Sequence, residues 1–474
     1  MHIKHSEIQV PIDGTDPYIN CKLDRKHLGE GLLEIIRAYN SGFVLAIDNE
    51  WGTGKTTFVK MWRQSLVNEN YTTIYFNAWE NDFQNEVIYV LLAELNNLKG
   101  SGEEKFSKVL ENALPLLKRL FPLVLKHALS KAVGDDAIAS VAESFGDYSI
   151  EELRKGLDSY KDQKKAIDSF KTSLQEYITE IDSDKPIIFI IDELDRCRPS
   201  YAVEVLERIK HIFDIPQVVF VLSIDKVQLG NAIKGAYGSE SIDSNEYLRR
   251  FIDIEFRLPN PNISNFTRHL IDYFQIDTFF KSPERGQYRG FEYDSENFYK
   301  ICLLIFENFK LSLRQIEKIL GHVSIVIKTF RENHYVFPAP LLLLTYINLT
   351  HKKIYDEILE KRYSLQEFIL AIEGMFRKIV TDENRRYFVF LLGQTLCLYY
   401  NHINGYHNKD LLIVKNKETN ENDLLVKSNL DISENNIDLK NFIERFFVSF
   451  DYSDVGLNHL LSRISLLENI KIQK

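Results

Sequence analysis

Residues Asn49-Glu50-Trp51-Gly52-Thr53-Gly54-Lys55-Thr56-Thr57 have the composition of a loop built to grip phosphate. Backbone N–H groups converge on phosphate oxygens only where no Cβ intrudes, which is what Gly52 and Gly54 supply. Lys55 is expected to reach β- and γ-phosphates, and the Thr56 hydroxyl to join a magnesium shell. Thr53 and Thr57 complete the loop, and the helix that follows turns its positive end toward the anion. One position departs from the GxxxxGK[ST] spacing, with Asn49 standing where the first glycine belongs. Asn tolerates left-handed backbone angles better than other non-glycine residues, so the loop is still expected to form. Trp51 lies inside the loop, either shielding a nucleotide or packing; for Trp79 packing is the preferred reading.

A second chemical feature follows at Ile187–Asp192, an apolar run (IIFIID) that delivers Asp192 and Glu193 side by side. Beside a phosphate loop, such an aspartate holds magnesium and the adjacent glutamate polarises an attacking water. That pairing suits hydrolysis better than transfer to a bound small molecule. Taken alone, the run could also be a helix start with acids in its first turn.

These residues need a scaffold, and the chain supplies short apolar runs in series: Phe43–Asp48, Thr73–Asn77, Ile187–Asp192, Val218–Ile224 and 253–258. Helical patterns precede or separate them, for example at 28–39 and 201–213. Strands apolar on both faces that alternate with helices predict a parallel sheet covered on two sides. Between about 85 and 185 the chain is too long for a single crossover and reads as a helical insert. Its segment 114–129 places apolar residues on one face, with Pro122 expected to kink or break it. Packing on the insert's own core is the plain reading, against a membrane-surface or partner-binding helix. Residues 297–326 and 365–400 read as helical throughout, and 401–435 as a polar loop or exposed hairpin. The expected division is a core at 1–262, a helical lid at 263–330 and a helical domain at 331–474.

Composition narrows the class. A chain of 474 residues with 45% hydrophobic and 12% aromatic content is that of a folded globular protein. Its formal charge of −10 opposes a surface that grips nucleic acid throughout, while leaving room for a local basic groove. The cysteines at 21, 197, 302 and 397 are far apart, without zinc spacing or a disulfide pattern, as in a reducing compartment. With neither a signal-like start nor a long uninterrupted apolar run, a cytoplasmic protein is expected, with peripheral membrane contact at most.

The block Asp192-Glu193-Leu194-Asp195-Arg196-Cys197-Arg198-Pro199 resembles the KAP family of P-loop NTPases. So do Phe76-Asn77-Ala78-Trp79, Val205-Leu206-Glu207-Arg208-Ile209-Lys210-His211, Phe220-Val221-Leu222-Ser223-Ile224-Asp225 and Tyr247-Leu248-Arg249-Arg250-Phe251. The likeness runs in motif order from about residue 24 to 320. It implies an additional-strand ATPase core related to AAA+ and STAND proteins, with ATP and Mg2+ as ligands. Many family members carry membrane helices in the insert, whereas this insert is charged and amphipathic and so looks soluble.

The resemblance also implies roles for single residues. Ser223 and Asp225 stand where related ATPases keep a polar sensor for the attacking water, a strand-end cap being the alternative. Arg249 or Arg250 matches the region that supplies an arginine finger to a neighbouring subunit, against an ordinary surface arginine. Arg314 resembles a second sensor on a lid helix, against a helix-surface salt bridge. Adenine is preferred through the resemblance alone. A homo-oligomeric switch or assembly ATPase is therefore expected, acting in anti-phage defence with separately encoded effector proteins. The rival is a nucleotide-gated scaffold with little turnover, and a nucleic-acid motor is a weaker third.

Overall fold

The computed structural model describes residues 8–12, 14–39, 41–83, 87–96, 103–118, 160–182, 184–211, 214–288, 290–376, 380–381, 383–404, 412–415, 422–428, 439–449 and 455–469. Two compact units emerge, one at 8–260 and one from Pro261 onward.

The first unit is built on five strands: β1 (Phe43–Asp48), β2 (Thr73–Asn77), β3 (Ile187–Asp192), β4 (Val218–Ile224) and β5 (Ile254–Arg257). All pair in parallel, in the order β2-β3-β4-β1-β5. The central strands are apolar at nearly every position because both faces are covered. Leu45, Ile47, Ile188, Ile190, Val219 and Val221 face a core closed by α1 (Lys26–Ala38) and α2 (Lys55–Asn68). The alternate residues Ala46, Phe76, Phe189, Ile191, Phe220 and Leu222 face the opposite core. That side is closed by α3 (Val87–Asn96), α4 (Glu103–Lys118), α5 (Tyr160–Ile181), α6 (Pro199–His211) and α7 (Lys226–Tyr237). The short α8 (Ser244–Leu248) precedes β5.

In the insert, α4 and α5 pack on each other, with the Phe106 and Tyr177 rings 5.1 Å apart. Val109, Leu110, Ala113, Phe170, Leu174 and Ile178 join the sheet core. The helix expected at 114–129 thus begins at Glu103. Its stretch beyond Lys118, Pro122 included, lies outside the described residues.

From Pro261 the described chain is helical apart from one small hairpin. The helices are α9 (Ile263–Tyr273), α10 (Ile276–Phe280), α11 (Asp294–Asn308), α12 (Leu313–Ile327), α13 (Pro338–Thr350), α14 (Lys352–Leu359), α15 (Leu365–Phe376), α16 (Arg385–Asn404), α17 (Leu439–Ser449) and α18 (Asn458–Asn469). Helix α13 is buried on all sides, as a helix apolar all round must be. Within 401–435, β6 (Ile413–Lys415) and β7 (Asn422–Leu424) pair antiparallel. No described helix is long and apolar enough to cross a membrane.

Candidate functional site

Loops at the carboxyl ends of the parallel strands converge where an open α/β sheet binds its ligands. β1 passes into the glycine loop, and Gly52 and Gly54 adopt φ of 76° and 82°, a left-handed region that favours glycine. Gly54 is the N-cap of α2, so the backbone N–H groups of Lys55, Thr56 and Thr57 open that helix. Lys55 is buried, and its Nζ donates to the carbonyls of Asn49 and Glu50, the latter at 3.0 Å. Burial pulls this ammonium below its ordinary range, while Asp195, Asp225, Asp192 and Asp48 draw it back up. Thr53 Oγ1 donates to the Glu50 carbonyl at 2.8 Å and closes the loop on itself.

Asn49 does not use the left-handed backbone that its residue type suggests; it is absent from the positive-φ residues of the described chain. Its value is in the side chain instead. Nδ2 donates to the Leu258 carbonyl at 2.7 Å, and Oδ1 accepts from the Glu50 N–H at 2.7 Å. The loop is thereby tied to the end of β5. A second tie was not foreseen from sequence: the buried Arg25 donates from one Nη to the Gly54 carbonyl at 3.2 Å and from the other to Pro259 O at 3.1 Å. Burial brings that guanidinium down to about 10.

At the end of β3, Asp192 is 1% exposed. Its Oδ2 accepts from the Tyr75 hydroxyl at 2.9 Å and its Oδ1 from the Glu193 N–H at 3.0 Å. Glu193 is left-handed at φ 62°, a strained setting for a non-glycine residue and one found at functional sites. Both oxygens of its carboxylate are held, one by the Asn77 amide at 3.2 Å and the other by Arg196. The Arg196 guanidinium also lies 5.6 Å from the Trp79 ring centroid. Trp79 is 53% exposed, so its packing is that of a surface ring against an arginine.

Ser223 pairs in register with Asp192, is fully buried, and its Oγ meets no partner among the described residues. Asp225 caps α7, accepting from Val227 N at 3.1 Å and Gln228 N at 3.2 Å. Arg249 and Arg250 follow α8 on the surface, and Arg249 pairs with Glu246 at 3.1 Å. Arg314 is exposed on the first turn of α12 and belongs to the second unit. The structure therefore gathers Asn49, Trp51, Gly52 to Thr57, Asp192, Glu193, Ser223 and Asp225 on one sheet edge. Sequence reasoning passed over Arg25, Tyr75, Asn77, Asp195 and Arg196; three of these lie inside the blocks quoted above.

A separate open cavity of about 560 Å³ lies wholly in the second unit, lined by Phe330, His334, His459 and Arg463 among others. It contains none of the motif residues.

A parallel sheet of this order, with a glycine loop leaving β1 and an acid pair leaving β3, defines a P-loop NTPase domain. The profile of the KAP family P-loop domain matches residues 25–330, and the chain belongs to the KAP family. The chain is also 22% identical over 346 residues to the phage T7 exclusion protein of Escherichia coli (strain K12). That alignment covers 66% of this chain but only 42% of the relative. Among solved structures, one of Drosophila ORC bound to DNA aligns over 93% of this chain and 98% of that one, with 13% identity and a TM-score of 0.37.

The donor set suits the group that P-loop domains take. Asp192 and Thr56 offer hard oxygens of the kind magnesium prefers. Among the described residues there is no cluster of three or more His, Cys, Asp or Glu to hold a metal unaided. A magnesium ion that draws most of its shell from phosphate and water needs no such cluster.

Proposed function

We propose that this chain binds ATP with magnesium at the β1–β3 edge and hydrolyses it, using the cycle as a switch or assembly ATPase. The observation that carries this reading is that Lys55, Asp192 and Glu193, separated widely in sequence, share one sheet edge beside two left-handed glycines. In this reading the loop N–H groups and Lys55 bind the phosphates, and Thr56 and Asp192 hold magnesium, which offsets phosphate charge when bound. Glu193 orients and deprotonates the attacking water. Ser223, buried and unpaired in register with Asp192, supplies a hydroxyl for the γ-phosphate or that water. Trp51 lies against the nucleotide, and adenine is the base preferred.

Glu193 lies in a bonded arrangement with Asn77 and Arg196, and this favours a second reading in part. Turnover is low until those restraints are released, so the chain would act as a nucleotide-gated scaffold between activations. The similarity to the phage T7 exclusion protein supports a role in anti-phage defence, in the cytoplasm, with separate effector proteins. The decisive comparison is ATP turnover by wild type, Glu193→Gln and Lys55→Ala. Loss of a general base lowers turnover about 10²- to 10⁴-fold, so Glu193→Gln should fall into that range while still binding ATP. An unchanged rate in Glu193→Gln would remove the assigned chemistry.

A further inference from the structure

The turn after β3 carries a third carboxylate, Asp195, for which the roles above have no use. It is 7% exposed, and taking a carboxylate out of water opposes folding unless donors replace the lost hydration. A donor comes from the loop of another strand. The Trp51 indole Nε1–H, in the phosphate loop after β1, donates to Asp195 Oδ2. The Asp225 backbone N–H, just past β4, and Lys55 both favour the charged form of this carboxylate. Because the sheet runs β3-β4-β1, the Trp51 bond ties the loop after β3 to the loop after β1 across the end of β4.

Trp51 makes an unusual partner. Its ring is 46% exposed, so apolar burial does not explain its place; the anchored part is the N–H. The turn that bears Asp195 is itself fixed. Arg198 clamps Asp82 of the loop after β2 through its backbone N–H at 2.8 Å and Nε at 2.9 Å. One end of the link is therefore rigid, and the other is a partly exposed ring on the loop that meets the phosphates.

We infer that Asp195 is a positioning residue, which through the Trp51 hydrogen bond sets the phosphate loop relative to the acid pair of β3. The inference rests on the nucleotide-binding reading of this loop. Trp51 is the yielding end of the link, and a shift of the loop around phosphate is passed to the β3 turn and on to the loop after β2.

The test compares Trp51→Phe, Asp195→Asn, Asp195→Ala and the double variant Trp51→Phe/Asp195→Ala, with Lys55→Ala as the control for nucleotide binding. Thermal unfolding is followed without nucleotide, and KM and kcat are measured with Mg-ATP. Trp51→Phe and Asp195→Ala should each raise KM about tenfold, the equivalent of one charge-assisted hydrogen bond. Asp195→Asn keeps an acceptor for the indole and should recover most of that loss. The double variant should be no worse than Asp195→Ala, in both unfolding and KM, because residues that act through one bond are not additive. Effects that multiply in the double variant, or an Asp195→Asn as damaged as Asp195→Ala, would overturn the inference. If wild type bound Mg-ATP no more tightly than Lys55→Ala, the nucleotide reading itself would fail. The unfolding cycle alone would then decide whether Trp51 and Asp195 are linked.

Discussion

Glu193 is the residue whose setting asks most of the chemistry proposed for it. A base that is to take a proton from water needs a free carboxylate oxygen, yet Asn77 and Arg196 each occupy one. Asn77→Ala frees one oxygen and also removes the amide's bonds to the Glu80 carboxylate and to the Trp79 and Glu80 N–H groups. We expect basal ATP turnover to rise about two- to tenfold, the rate equivalent of one ordinary hydrogen bond. A fall in turnover would mean that Asn77 orients Glu193 for catalysis. Lys55, Thr56, Asp192 and Glu193 are legible in the sequence because their chemistry demands particular residue types next to glycines or at the end of an apolar run. Asn77 and Tyr75 are not legible in that way. They touch the acid pair across 116 and 117 residues of chain, and only the pairing of β2 with β3 brings them there. Asn49 shows a different limit. Residue type suggested a backbone role, while the contact that matters is a side-chain amide on Leu258, 209 residues away.

At the scale of elements, the strands were the easiest to read, since short apolar runs closed by polar residues have few other places in a folded chain. β1 to β4 fall on the runs seen in sequence, and β5 is slightly shorter than the run at 253–258. Strand order is another matter, because nothing local says that β4 lies between β1 and β3. Helix breaks were also missed. The pattern at 297–326 is interrupted between Asn308 and Leu313, where Lys310 turns left-handed at φ 49°. Arg25 sits just ahead of α1 and is the tie that joins that helix, the phosphate loop and the segment after β5. Replacing it with Met keeps the apolar stem and leaves the Gly54 and Pro259 carbonyls without this donor. Hydrogen bonds to a charged group contribute about 1.5–3 kcal/mol. Arg25→Met should therefore lower Tm by several degrees and raise KM for Mg-ATP. Unchanged values of both would show that the tie does not support the loop.

At the scale of the molecule, the question is whether one chain holds everything the reaction needs. In the described unit that bears the phosphate loop, the cations nearest the proposed chemistry are engaged: Lys55 on loop carbonyls, Arg196 on Glu193, Arg25 on Gly54 and Pro259. Arg249 is different, since its side chain is 73% exposed and its pair with Glu246 is a surface pair. Such pairs contribute about 0–1 kcal/mol and are readily exchanged for a better anion. A γ-phosphate in a neighbouring copy of the chain would be one, and an arginine supplied there would offset charge in the transition state. We therefore expect ATP-loaded Glu193→Gln to scatter light as an assembly larger than a monomer. Arg249→Ala combined with Arg250→Ala should bind ATP as wild type does but turn it over about 10³-fold more slowly, the low end of what a supplied arginine contributes. Mixing that double variant with Lys55→Ala would then restore part of the turnover, because each copy supplies what the other lacks. A monomer under all these conditions, with full turnover in the double variant, would make Arg249 and Arg250 ordinary surface residues and the site complete in one chain.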